Sequence, residues 1–356
     1  MSRVLIMAGG TGGHVFPALE VAKVMRERGV EVHWLGTQRG IEHRLVPAQS
    51  ITIDYIRVEG VRGRGAAGIL KAPFLIALAV LQAINVLRRV KPEVVIGFGG
   101  FASGPGGLAA KMMGLPLVIH EQNAVAGTTN KLLSRLANRI LTGFDDVFNN
   151  GRWVGNPVRQ AIRQLPEPAQ RFAARADEPL HLLVLGGSLG ALAINELVPQ
   201  ALGQLNASER PKVRHQCGEK HAEVTTANYL ASQVEASVEP FIDNMSEAYG
   251  WADIVICRAG ALTIAELACA GVGAILIPLP TAIDDHQTHN AAVLASAGAA
   301  ISVPQGDLSA ERLAKVLRER LASRSALLQM AEIARQACRG DAAAKVADEI
   351  GELIHG

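Results

Sequence analysis

Aromatic residues are scarce, at 4% of 356 residues, so the core must be built from Ala, Val, Ile and Leu, a composition that suits helices packed on parallel strands. Cysteine is scarce too. Cys217, Cys257, Cys269 and Cys338 lie far apart, form no C-x-x-C or metal-ligand spacing, and read as four buried thiols of a reducing compartment, by default the cytosol. Neither sign of charge dominates. With 35 Lys and Arg against 33 Asp and Glu, the net +2 is too balanced for a protein whose main partner is nucleic acid, while a pI near 8.4 leaves room for one local basic patch. Long apolar runs are also missing. The run from Val4 to Met7 is too short for a signal-peptide core, and the stretch from Ala72 to Leu81 is about half of the roughly 20 residues a spanning helix requires, so no membrane crossing is expected.

The length suggests about two domains. Short β-branched runs at 3–7, 30–35, 51–55, 94–96 and 117–119 alternate with helical patterns at 15–28, 69–89 and 104–113, which predicts βαβ units and a parallel sheet. The pattern restarts at His181 after a polar stretch that contains Pro166 and Pro168. Further strands are expected at 181–185, 213–215, 254–257 and 274–277, with helices at 263–270 and 286–297. The fold class is therefore α/β, with two Rossmann-like doubly wound domains facing an interdomain cleft.

The repeat carries a signature. Ala8-Gly9-Gly10-Thr11-Gly12-Gly13 and Gly186-Gly187-Ser188-Leu189-Gly190 each follow an apolar strand, and Gly97–Gly107 makes a third glycine-rich segment. Such turns let backbone N–H groups approach a phosphate at a helix N-terminus. No G-x-x-x-x-G-K-[ST] is present, which excludes a P-loop, and the first turn fails G-x-G-x-x-G at Val15, which weakens a dinucleotide reading. Gly186-Gly187-Ser188-Leu189-Gly190 also matches the G-x-S-x-G of hydrolases, with Asp243 or Asp285 and His286 in order, but its symmetry with the first turn favours a phosphate role. His286 and His289 beside Asp284 and Asp285 fit either a metal pair or a polar helix start. There is no Asp-x-Asp, so diphosphate would be bound by helix ends and Arg rather than through a metal.

His14 directly follows the first turn, where an imidazole can act as a general base or as a capping side chain. His120-Glu121-Gln122-Asn123 places four polar residues at a strand's carboxyl edge. Between Val61 and Lys91, Ile69, Phe74, Leu75 and Leu78 combine with Lys71, Arg88 and Arg89. This segment suits an anionic membrane surface or a crossover helix packed on its sheet, and Met112 and Met113 are candidates for the same surface.

Together the segments Met7–Pro17, Gly99–Pro105, His120–Asn123, Val154–Arg159, Gly186–Ser188 and Cys257–Glu266 closely resemble the MurG family of bacterial peptidoglycan glycosyltransferases over essentially the whole chain. The resemblance implies a GT-B fold with an N-terminal acceptor and membrane-associating domain at 1–157, a C-terminal UDP-GlcNAc-binding domain at 158–340, and a final helix at about 341–356 that packs back on the first. It implies inverting transfer of GlcNAc from UDP-GlcNAc to the C4 hydroxyl of lipid I, giving lipid II. The donor site would comprise Thr11, Gly12, Gly13, Asn123, Arg159, Ser188, Ile242, Ala261, Leu262, Thr263, Ile264, Ala265, Glu266, Gln287 and Asn290.

In that mapping Glu266 accepts from the ribose hydroxyls and Ile242 meets the uracil through its backbone. Ser188 and the N–H groups near Leu262 and Thr263 hold the diphosphate, while Gln287 and Asn290 read sugar hydroxyls. His14 is the first candidate for the base and Glu121 the second. Phe101 stands where some relatives carry an aromatic with a hydroxyl. No cofactor and no metal are implied, and no nucleic acid. The implied partners are UDP-GlcNAc, lipid I, the anionic cytoplasmic face of the bacterial inner membrane, where the protein would be peripheral, and cell-wall and division proteins. Two other classes share the layout: a nicotinamide-dependent oxidoreductase and a non-catalytic nucleotide- or lipid-binding protein.

Overall fold

The computed structural model describes residues 2–58, 65–187, 190–280 and 285–355, with backbone alone for 65–72. Ser188 and Asp284 therefore lie outside the described residues, as do the side chains of Ile69 and Lys71. The chain divides into two units, Met1–Val158 with Asp341–Gly356, and Arg159–Gly340.

The first unit runs β1 (Arg3–Ala8), α1 (Gly12–Glu27), β2 (Glu31–Gly36), α2 (Glu42–Ala48), β3 (Thr52–Tyr55), α3 (Gly65–Val90), β4 (Val94–Gly99), α4 (Ser103–Met112), β5 (Leu117–Glu121), α5 (Thr128–Leu133), β6 (Arg139–Thr142) and β7 (Arg152–Trp153). Its seven strands are all parallel, in the order β3-β2-β1-β4-β5-β6-β7. The sheet is covered on both faces, which is why β1 can be apolar throughout. Val4, Ile6 and Ala8 pack with Val15, Ala18 and Ala22 of α1 and with Val346 and Ile350 of the C-terminal helix Ala342–His355, whereas Leu5 and Met7 face the core under α3 and α4. The order reverses between β1 and β4. Here the two glycine-rich turns approach so closely that a Cβ on Gly100, whose φ is +85°, would strike the Gly9 backbone.

The second unit runs α6 (Gln160–Arg163), α7 (Pro168–Ala174), β8 (His181–Leu185), α8 (Leu192–Gly203), β9 (Lys212–Gln216), α9 (Ala222–Ala231), β10 (Ser237–Glu239), α10 (Met245–Trp251), β11 (Ile254–Cys257), α11 (Ala261–Ala270), β12 (Gly273–Leu276), α12 (His286–Ala297), β13 (Ala300–Ser302), α13 (Ala310–Leu321) and α14 (Arg324–Gln336). Its six parallel strands are ordered β10-β9-β8-β11-β12-β13, so the switch point falls between β8 and β11.

Two sequence expectations need correction. Cys269 and Cys338 are not thiols but a disulfide, because the C-terminal end of α11 and the segment after α14 lie side by side with the two Cα atoms 4.7 Å apart, although 69 residues separate them in sequence. Cys217 and Cys257 are free and buried, as expected. Second, the apolar character of α3 extends beyond the unbroken run, and Pro73–Val90 is long and apolar enough to cross a membrane by length and composition. A third of that window is buried: Ala79, Val80, Ala83, Val86, Leu87 and Val90 form a stripe in the sheet core, the spacing of a crossover helix.

Candidate active site

Both switch points carry the predicted residues. In the first unit, Thr11 is the N-cap of α1 in extended conformation, and the half-buried His14 ring stands in its first turn. Its Nδ1 lies 3.2 Å from the Gly9 carbonyl oxygen and 3.4 Å from Thr11 Oγ1. A carbonyl only accepts, so this contact assigns the proton to Nδ1 and leaves Nε2 as the basic nitrogen. The edge of the ring lies against Gly99 at the end of β4, where a Cβ would come within 3.0 Å of Cδ2 and Nε2.

Glu121 is differently placed. Buried at the end of β5, its Oε1 accepts from the Asn123 backbone and side chain at 2.9 and 3.1 Å, and its Oε2 accepts from Gly127 N at 3.0 Å and Asn130 Nδ2 at 2.9 Å. Four donors fill the acceptor sites of one carboxylate, so it shapes the loop that carries Asn123. His120 is buried beside it. Its Nε2 donates to the Gly155 carbonyl and its Nδ1 accepts from Gln122 Nε2, each at 3.0 Å, and burial pushes its pKa down to about 4, so the ring is neutral and ties β5 to the segment before α6.

In the second unit, Gly260 caps α11 without a side-chain hydrogen bond, and the first helical bond is donated by Ile264 N to its carbonyl. The N–H groups of Ala261, Leu262 and Thr263 thus form a helix N-terminus suited to an anion. One turn on, the buried Glu266 accepts from Arg159 Nη2 at 2.7 Å and from the Tyr249 hydroxyl at 3.2 Å. Burial and the neighbouring Glu266 hold the Tyr249 hydroxyl protonated well above the usual tyrosine range, so it remains a donor. Gln287 Oε1 accepts from Ala259 N at 3.2 Å and Leu279 N at 3.0 Å.

Asn290 is buried and donates to the Ala259 carbonyl at 3.1 Å, which supports the β11–α11 turn. Ile242 is also buried, which suits a backbone contact. Leu262, Thr263 and Ala265 are half-buried and Ala261 and Ile264 buried. The polar start of α12 is satisfied locally, with Thr288 Oγ1 donating to Asp285 and His289 Nδ1 at 3.1 Å from the Asp285 carbonyl. Among the described residues no group of three or more His, Cys, Asp or Glu could hold a metal.

Of the proposed surface patch, Phe74 is 72% and Leu78 37% exposed, Leu75 is half-buried, and Arg88 and Arg89 are exposed, Arg89 pairing with Asp54. Ile76 and Leu81 of the same apolar segment are exposed as well, as is Met112 of α4 beside it, whereas Met113 packs into the core. Sequence reasoning missed Tyr249, Gln216 and Glu42. Gln216 accepts from Gly187 N at 3.1 Å across the β8–β9 pair, a contact without local signal.

Two parallel, doubly wound units, each with a glycine-rich turn at its switch point, define the GT-B type of nucleotide-sugar-binding architecture. Residues 4–142 match the glycosyltransferase family 28 N-terminal domain and residues 181–350 its C-terminal domain. The chain belongs to glycosyltransferase family 28. It is 60% identical, over 99% of both chains, to the Cellvibrio japonicus protein named "UDP-N-acetylglucosamine--N-acetylmuramyl-(pentapeptide) pyrophosphoryl-undecaprenol N-acetylglucosamine transferase", and 56% identical, over 97% of both, to the protein of that name from Alkalilimnicola ehrlichii. The crystal structure of Acinetobacter baumannii MurG superposes with a TM-score of 0.87 at 43% identity, covering 99% of this chain and all of that one. The calicheamicin glycosyltransferase CalG4, at 16% identity and a TM-score of 0.69, shares the fold alone.

Proposed function

We propose that this chain is a hexosyltransferase that moves GlcNAc from UDP-GlcNAc to the C4 hydroxyl of the muramyl sugar of lipid I, with inversion, in peptidoglycan synthesis. The observation that carries the reading is identity of 60% over the full length of a transferase named for that reaction. Neither an oxidoreductase nor a non-catalytic binder is supported by these relatives.

In the reaction, the acceptor C4 oxygen forms a bond to the sugar C1 as the bond from C1 to the UDP oxygen breaks. The C4 hydroxyl proton goes to Nε2 of His14, whose Nδ1–H is held on the Gly9 carbonyl. Charge growing on the departing diphosphate meets the N–H groups at the start of α11, where the helix dipole adds to the hydrogen bonds. Glu266 accepts from the ribose hydroxyls, and Arg159 beside it neutralises the buried carboxylate. The exposed Phe74, Ile76, Leu78 and Leu81, with Arg88, fit peripheral attachment to the cytoplasmic membrane face, where the lipid-linked acceptor resides. Roles in cell shape and division, through cell-wall and division proteins, belong to the same proposal.

Two measurements test the reading. UDP and UDP-GlcNAc should raise the melting temperature while NADH does not; the reverse would favour the oxidoreductase. His14→Ala should cut kcat by about 10²–10⁴ with UDP binding retained, and a loss below tenfold would remove His14 as the base.

A further inference from the structure

Beneath the first glycine-rich turn lies a buried carboxylate. Glu42, the first residue of α2, is 0% exposed, and its carboxylate accepts three hydrogen bonds: from Thr37 N at 3.0 Å and Thr37 Oγ1 at 2.8 Å on Oε1, and from Gly10 N at 2.9 Å on Oε2. Three glycines make room for it. A Cβ on Gly9, Gly36 or Gly40 would run into the Glu42 side chain, so three separate segments of the first unit omit a side chain around one carboxylate.

The N–H of Gly10 and the C=O of Gly9 belong to one peptide group. The N–H donates to Glu42, and the oxygen faces Nδ1 of His14 at 3.2 Å. A buried anion on the N–H side polarises the amide and makes its oxygen a stronger acceptor, since hydrogen bonds in a chain reinforce one another in a low-dielectric interior. That oxygen then holds the Nδ1–H tautomer and favours the imidazolium formed when Nε2 takes a proton. In hydrolase triads a carboxylate touches the imidazole directly; here a peptide group stands between the two.

We propose that Glu42 is a positioning residue for His14, acting through the Gly9–Gly10 peptide group to fix the ring tautomer and raise the basicity of Nε2. The proposal rests on His14 as the base. Among the described residues, several titratable groups near this turn have partners of their own. From β5, His120 is bonded to Gly155 and Gln122, and Glu121 to its own loop. From α2, His43 faces the Tyr55 hydroxyl at 3.0 Å. The C-terminal helix spends Asp348 on Arg28 at the far end of α1, and α1 itself carries Glu20. At the end of β4, Gly99 lies against the His14 ring.

The test follows the His14 ring by NMR in the full-length chain. In the unaltered protein, the Gly9 carbonyl carbon and the Gly10 amide should shift with the same midpoint as the His14 ring nitrogens, and the absence of such a shift would overturn the proposal. In Glu42→Gln the acceptor loses its charge. The His14 midpoint should fall by about one pH unit, a tenfold loss of proton affinity, and the acidic limb of kcat/KM should move down in pH with it. The KM for UDP-GlcNAc should stay within about twofold, because the Glu42 carboxylate bonds Gly10 N and Thr37 and not the residues assigned to the donor. A folded Glu42→Gln variant with an unchanged His14 midpoint contradicts the proposal; if the variant fails to fold, the titration of the unaltered chain decides. Because NMR reads the ring whether or not it takes the substrate proton, failure of this link is distinct from failure of the base assignment, which His14→Ala kinetics report.

Discussion

Replacing Glu266 by Ala removes a carboxylate that serves two donors at once, and the structure allows both consequences to be sized. The Tyr249 hydroxyl, in a residue only 1% exposed, would lose its acceptor and cost about 1–3 kcal/mol. The Arg159 side chain is 35% exposed, so water screens the broken ion pair, which adds about 1 kcal/mol at most. A loss of about 1–4 kcal/mol in the second unit should lower the melting temperature by about 2–16 °C. A ribose deprived of a charged acceptor should lose a further ~1.5–3 kcal/mol of binding, equivalent to a donor KM raised about 10–150-fold. Two controls separate these effects. Tyr249→Phe deletes the hydroxyl and keeps the carboxylate, so it should lower stability modestly with little change in donor KM. Glu266→Gln keeps an oxygen for Tyr249 and loses the charge, so it should melt close to the parent and still bind the donor poorly. The assay is initial-rate kinetics with UDP-GlcNAc varied, alongside thermal melts. A folded Glu266→Ala with unchanged donor KM, or a Tyr249→Phe with an equally raised one, would refute the ribose assignment.

Two further outcomes are expected. Replacing the exposed Phe74 and Leu81 by Ser should weaken sedimentation with phosphatidylglycerol vesicles and leave turnover of a water-soluble acceptor and the melting temperature nearly unchanged; undiminished vesicle binding would reject the surface. His120 and the buried His215 have pKa values lowered to about 4 and about 3 from the usual 6.5, so below pH 6.5 the unfolded chain binds more protons than the native one. Stability should therefore be fully present above pH 6.5 and fall as the pH drops toward 4, by up to about 3 kcal/mol per histidine, and flat urea midpoints over that range would contradict the burial argument.

The sheet strands were legible where two-sided burial leaves an almost unbroken apolar run, as in His181–Leu185 and Ile254–Cys257, whose ends match the structure. The edges were not. Strands β6 and β7 begin at Arg139 and Arg152, run four and two residues, and give too short an apolar signal to register. The turn residues could be read because a glycine-rich run after a strand has few other uses, yet their supports could not. Glu42, Tyr249 and Asn290 make contacts with distant segments, and no spacing in the sequence marks those pairings. The same blindness hid the Cys269–Cys338 bond.

The central claim is the transfer itself. Incubation with UDP-GlcNAc labelled in the sugar and a lipid I analogue should yield a labelled disaccharide lipid and one equivalent of UDP, with NMR showing a β bond to C4 of the muramyl sugar. Release of free GlcNAc without a disaccharide, attachment at another hydroxyl, or retention of the α configuration would contradict the account.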